Sequence, residues 1–98
     1  MVVGRYWVYV LLSNKDKRFY VGMTTDLTRR WKEHFSGKVK STMNRRPLKL
    51  IHYEYFVCRG DARSREVFLK SGFGRDRLKQ CLKNTLEGLA VEKKVKIG

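Results

Sequence analysis

Two short runs of aromatic and β-branched residues, Trp7-Val8-Tyr9-Val10-Leu11-Leu12 and Phe19-Tyr20-Val21-Gly22-Met23-Thr24, stand on either side of a polar stretch, Asn14 to Lys17. A connection this short joins strands as an antiparallel hairpin, because a parallel pair needs a long crossover. Residues of these types also fit a pleated, half-buried surface better than a helix. The pattern predicts strands over about residues 5 to 12 and 18 to 23. With a turn about the Asn14–Lys15 bond, Tyr9 falls directly opposite Tyr20, and facing residues share one side of a sheet. A slip of one residue would put the two phenols on opposite faces, so register matters here more than anywhere else in the chain.

A helix follows. Asp26 is a good N-cap, and Leu27, Trp31 and Phe35 recur at spacing four to give a buried stripe that ends at Gly37. At 100° per residue, Arg30 and His34 lie roughly 100° and 60° round from Trp31 on one side of that stripe. They can reach a cleft beside the sheet, while Lys32 and Glu33 point to water. Residues 38 to 47 form a basic connecting loop with Lys38, Lys40, Arg45, Arg46 and the single proline, Pro47. A third strand is expected from about Leu48 to Val57, its tyrosine-rich middle suggesting an exposed face. Gly60 and Asp61 start a second helix that contains Glu66 and stops near Gly72. A third spans about residues 75 to 84, and a basic tail follows. The expectation is a small α+β fold, a three-stranded antiparallel sheet flanked by about three helices in the order β-β-α-β-α-α, as one domain over residues 1–84 with a basic tail over 85–98.

The 98 residues allow one modest core. Lys and Arg number 23 against 9 Asp and Glu, a formal net charge of +14. A small body so charged repels itself, which points to a polyanionic partner, and nucleic acid is the first choice. A membrane is not expected as partner: the longest apolar run, Tyr6 to Leu12, is too short to span one, and no strongly amphipathic cationic terminal helix is evident. No signal-peptide pattern opens the chain. Cys58 and Cys81 form no CxxC pair and read as reduced thiols, with a lone disulfide left open, so a cytoplasmic address is expected. Oligomeric state is not readable from these residues.

Singly, the polar residues have ordinary explanations. Tyrosines are common in strands, Arg30 suits a solvated helix face, His34 a half-buried position, and Glu66 could simply balance Arg63, Arg65 and Lys70. Together, Tyr9 in a Trp-Val-Tyr strand, Tyr20-Val21-Gly22, Arg30, His34 and Glu66 resemble the GIY-YIG nuclease domain, over nearly the whole chain to about residue 83. The resemblance is closest to small stand-alone bacterial members, which share Ser36-Gly37-Lys38, Arg46-Pro47-Leu48 and an Arg-Glu helix. The first motif departs from the family, reading Trp7-Val8-Tyr9. Many catalytic members also carry a later asparagine, for which Asn84 is the one candidate.

The resemblance implies hydrolysis of a nucleic-acid phosphodiester, in DNA more than RNA and with repair or recombination as the setting, with Mg²⁺ or another divalent cation held by Glu66. It implies catalytic roles for Tyr9, Tyr20, Arg30, His34 and Glu66. The loop and helix cations Arg29, Lys38, Lys40, Arg45 and Arg46 are the expected phosphate contacts. Two other readings stand beside it: a non-catalytic nucleic-acid-binding module, and an RNA- or ribosome-associated protein whose exposed tyrosines stack on bases.

Overall fold

A computed structural model describes the backbone of residues 3–97 and the side chains of residues 3–90. The elements are β1 (Val3–Ser13), β2 (Phe19–Thr24), α1 (Leu27–Phe35), a single 3₁₀ turn (Met43–Arg45), β3 (Leu48–Cys58), α2 (Arg59–Lys70), α3 (Gly72–Cys81) and α4 (Lys83–Ile97). The α+β class and the strand–helix order agree with expectation, with one helix added. The chain divides into two compact units, one through Val67 and one from Phe68 onward.

In the first unit the sheet has the order β2-β1-β3, antiparallel throughout. The hairpin register differs from the expected one. Tyr9 faces Gly22 and Leu11 faces Tyr20. The cause lies in the loop. Ser13 N–H donates to the Arg18 carbonyl at 3.0 Å and Lys17 N–H to the Ser13 carbonyl at 2.9 Å, enclosing four residues. The buried Ser13 hydroxyl accepts from the N–H groups of Lys15 and Asp16, each at 3.1 Å, and donates to the Arg45 carbonyl at 2.6 Å. Lys17 completes the turn at a φ of 62°. The turn is therefore centred one residue later than expected, which moves the pairing by two. A shift of two preserves the face, so Tyr20 lies diagonal to Tyr9 on the same side.

Strand β1 is the central strand and is buried on both faces, with Val8 and Val10 to one side and Tyr9 and Leu11 to the other. On the Tyr9 side, Tyr9, Leu11 and Leu48 form a core against which Tyr20, Leu27, Trp31 and Leu50 pack. Asp26 caps α1 as expected, its Oδ1 accepting from Arg29 N–H at 3.0 Å. Phe35, expected in the buried stripe, is 66% exposed and His34 is buried instead. Position 35 lies about 40° from Trp31 and position 34 about 60° to its other side. The half-buried Arg30 and the buried His34 show that the inner face is centred on that other side. Glu33 also departs from expectation, accepting from Arg30 at 3.1 Å rather than pointing freely to water.

The chain leaves α1 through Gly37, whose φ of +81° favours glycine. The Arg46 guanidinium occupies the space a side chain there would take, with Cζ 2.6 Å from the position of a Cβ. The Arg46–Pro47 peptide is cis.

In the second unit, the Ser71 hydroxyl caps α3 by accepting from Gly74 N–H at 3.0 Å, and Phe68 and Phe73 meet edge to face. Where a basic tail was expected, α4 runs from Lys83 to Ile97. Leu82 and Leu86 N–H groups donate in helical register to the Leu78 and Leu82 carbonyls, at 2.9 Å each. Lys, Leu and Glu make up eight of its 15 residues and it has no proline, so helix is its intrinsic preference. Among the described residues no helix is long and apolar enough to cross a membrane.

Candidate active site

The site is built on β1. The Tyr9 ring lies across the strand pair over Gly22, where a Cβ would sit 2.5 Å from the ring carbon that bears the hydroxyl. Only a residue without a side chain leaves that ring its place. The Tyr9 hydroxyl, on a residue 2% exposed, shares a hydrogen bond of 2.8 Å with His34 Nε2. The other ring nitrogen, Nδ1, is bonded at 2.7 Å to the Thr42 hydroxyl, and both His34 and Thr42 are fully enclosed. Tyr20 stands beside them, its ring 6.4 Å from Tyr9 and 5.1 Å from His34, and its hydroxyl accepts from Ser41 at 3.4 Å.

Two charges border this neutral cluster. Arg30, one turn before His34, donates to Glu33 at 3.1 Å and interacts with the Tyr9 phenol. Glu66 comes from α2, where Ala62, Glu66 and Leu69 occupy buried positions at helical spacing. A carboxylate thus sits in a stripe that core packing alone would fill with an apolar side chain. Its Oε1 accepts from Arg63 at 2.8 Å, and its charge is felt at Tyr9.

The electrostatics follow from this enclosure. Burial pushes the Tyr9 phenol up to about 12. Tyr20 and Glu66 push in the same direction, and the interaction with Arg30 does not offset them. Burial and the neighbouring Arg30 charge push His34 down to about 4, against a weak pull from Glu33. Arg30 is held above its ordinary value, first by its interaction with Tyr9. At neutral pH the centre therefore holds a phenol, a neutral imidazole and a guanidinium.

The five residues predicted as a group, Tyr9, Tyr20, Arg30, His34 and Glu66, all belong to the first unit. Tyr9, Tyr20, His34 and Arg30 meet directly, and Glu66 reaches Tyr9 through its charge. The five predicted phosphate contacts are less uniform. Arg29, Lys38 and Lys40 are exposed. Arg45 is instead committed to the fold: its Nε donates to Asp16 at 2.6 Å, and its Nη2 reaches Asp16 and the carbonyls of Arg18 and Phe19. Arg46 is exposed but donates to the carbonyls of Met43 and Phe35. Asn84 lies exposed in the second unit.

Sequence reasoning missed Thr42 and did not see why Gly22 is glycine. Nothing local marks Thr42, eight residues beyond His34 in a loop. Gly22 was legible in principle, since the correct hairpin register sets it against Tyr9.

Residues 5–80 match the model of the GIY-YIG catalytic domain. This chain belongs to that family. A UPF0213 protein of Listeria welshimeri is 46% identical to it over 68 residues, covering 68% of this chain and 74% of the relative. A UPF0213 protein of Clostridium perfringens is 32% identical over 92 residues, covering 93% of this chain and 98% of the relative. The solution NMR structure of a UPF0213 protein from Bacillus halodurans superimposes with a TM-score of 0.51 at 35% identity, over 79% of this chain and 84% of that one. The GIY-YIG match gives the chain a nuclease-like fold and, by family, a nucleic-acid substrate.

Proposed function

We propose that this GIY-YIG protein is a divalent-cation-dependent endonuclease that hydrolyses phosphodiester bonds, in DNA in preference to RNA. The observation that carries the reading is the Tyr9 hydroxyl. A structural tyrosine needs one polar partner when buried. This one meets an imidazole and a guanidinium and lies in the field of a buried carboxylate.

Glu66 is the residue that would hold the cation. It is a hard oxygen donor, and Mg²⁺ is commonly held by one or two carboxylates, with waters and substrate phosphate completing its shell. Arg63, whose side chain is 64% exposed, has room to swing away from Oε1. When bound, such an ion supplies Lewis-acid polarisation of the phosphoryl group and stabilises the leaving oxygen.

The side chains divide the remaining work. Arg30 neutralises charge that develops on the phosphoryl oxygens. Tyr9 orients the attacking water. Once its own proton has passed to solvent, with the Arg30 charge favouring the phenolate, it accepts the proton of that water. Tyr20 positions the water or the phosphate. The magnitudes assign His34. Passing the Tyr9 proton to it in the resting site spans from about 12 to about 4, roughly 11 kcal/mol uphill. His34 is therefore no proton sink, and both its nitrogens are already engaged. It holds the phenol. With the Thr42 hydroxyl donating to Nδ1, Nε2–H donates to the Tyr9 oxygen, the tautomer that stabilises a phenolate.

The deciding assay incubates supercoiled, single-stranded and branched DNA, and RNA, with and without Mg²⁺, beside the Glu66→Ala protein. Mg²⁺-dependent cleavage that falls about a thousandfold in the variant, with binding retained, is the expected result. Cleavage by Glu66→Ala at the parent rate would remove Glu66 from the mechanism. The ion pair between Arg63 and Glu66 favours a second reading, a binding module whose carboxylate is neutralised from within. Tight, salt-sensitive binding without cleavage would select it.

A further inference from the structure

Beyond Tyr9, the same sheet face continues into open aromatic surface. Tyr53 is the direct cross-strand partner of Tyr9, and Tyr55 is the partner of Trp7. Tyr55 is two residues further along β3, about 7 Å away. Trp7 joins the rings into one surface, its centroid 5.7 Å from Tyr53 and 4.8 Å from Tyr55. Tyr53 is 55% exposed and Tyr55 47%, whereas the intervening Glu54 and the following Phe56 are half-buried. The exposure alternates with the pleat, so it belongs to one face of β3 and not to a frayed edge.

Continuous exposed aromatic surface beside a polar centre calls for an occupant. Charge chooses among candidates. A second copy of this chain would bring together two bodies of net charge +14, whereas a polyanion is attracted. Within nucleic acid, a duplex keeps its base faces stacked inside and offers only edges and phosphates, while unpaired bases present π-faces to aromatic side chains. We infer that Trp7, Tyr53 and Tyr55 form a stacking platform for unpaired bases next to the scissile phosphate. The preferred substrate is then a single strand or a branched structure with an unpaired segment at the cut. This specificity rests on the nuclease reading, but the platform itself is testable without cleavage.

The test measures binding of oligo(dT), oligo(U) and a duplex of equal length without metal, in a Trp31→Phe background where Trp7 is the single tryptophan. Single strands should quench Trp7 emission. Tyr53→Ala with Tyr55→Ala should weaken single-strand binding at least tenfold and duplex binding less than twofold. Tyr53→Phe with Tyr55→Phe should restore binding, which separates stacking from misfolding. Equal loss on single strand and duplex, or no loss on either, would overturn the platform. So would a concentration-dependent dimer in sedimentation that the alanine pair dissolves, since a second copy would then be the occupant. Absence of Glu66-dependent cleavage beside an intact platform would count against the nuclease reading alone.

Discussion

Tyr9 and Val8 are neighbours on β1, and the polar groups on the two sheet faces they mark are organised in opposite ways. On the Val8 side, Glu54 lies opposite Val8 and accepts from Arg65 Nε at 2.9 and 3.2 Å and from Arg65 Nη2 at 3.2 Å, with His52 Nε2 at 3.0 Å. Burial works against that carboxylate, but Arg65 and His52 outweigh it and hold Glu54 below its ordinary value. Charge there is balanced by charge. On the Tyr9 side the phenol and the imidazole are both displaced away from their charged forms, and the guanidinium does not reverse it. Both faces carry a histidine, so that residue type alone does not distinguish them. A satisfied ion pair is a structural solution, whereas a phenol and an imidazole held neutral by enclosure are poised for a change of charge.

The contrast is broken most directly by removing a carboxylate from each face. Glu66→Ala should lose about a thousandfold in Mg²⁺-dependent cleavage, and Glu54→Ala should keep cleavage within a few-fold while lowering stability by about 1–3 kcal/mol in denaturant titration. Equal activity losses would mean that the faces are not divided as described. Next in size is Gly22→Ala, whose methyl would displace the Tyr9 ring. It should cost about 1–3 kcal/mol, abolish most activity and break the Tyr9–His34 hydrogen bond, seen as a shift of the His34 ring resonances.

The histidines sharpen the comparison through pH. His34 takes up a proton near 4 when folded and near 6.5 when unfolded, so between these values the unfolded chain binds more protons and stability rises with pH. The contribution, about 3 kcal/mol, is complete above 6.5 and is lost as pH falls toward 4. Denaturant midpoints across this window should show that slope, and His34→Gln should flatten it. The smallest effect concerns the basic loop. Replacing Lys38 and Lys40 by Ala should reduce the salt slope of single-strand binding by about 0.7 for each phosphate that is no longer neutralised. Arg45→Ala should instead lower stability, because its guanidinium pins the hairpin loop to Asp16.

Much of the fold and of the centre is legible in the sequence because periodicity reports on faces. The hairpin, the exposed tyrosines of β3, the shared face of Tyr9 and Tyr20 and the shared flank of Arg30 and His34 follow from periods of two and 3.6, and the Asp26 cap follows from residue type. The difference in register does no harm for the same reason, since a displacement of two keeps parity. What cannot be read is set by bonds distant in sequence. The Ser13–Arg45 bond fixes the turn across 32 residues, and Thr42 meets His34 across a loop. Arg45 looks like any other loop cation until Asp16 is placed beside it. The α4 helix is a different case: its Lys, Leu and Glu residues favour helix, and charge alone makes it resemble a tail.

The bond between Tyr9 and His34 has a spectroscopic consequence. Its labile hydrogen is shut away from water and held between two heavy atoms 2.8 Å apart. Such a hydrogen exchanges slowly enough to give its own line in a proton NMR spectrum, well away from the amide envelope. A single resonance would then follow the candidate centre directly, and its movement on adding an oligonucleotide would register occupancy before any strand is cut.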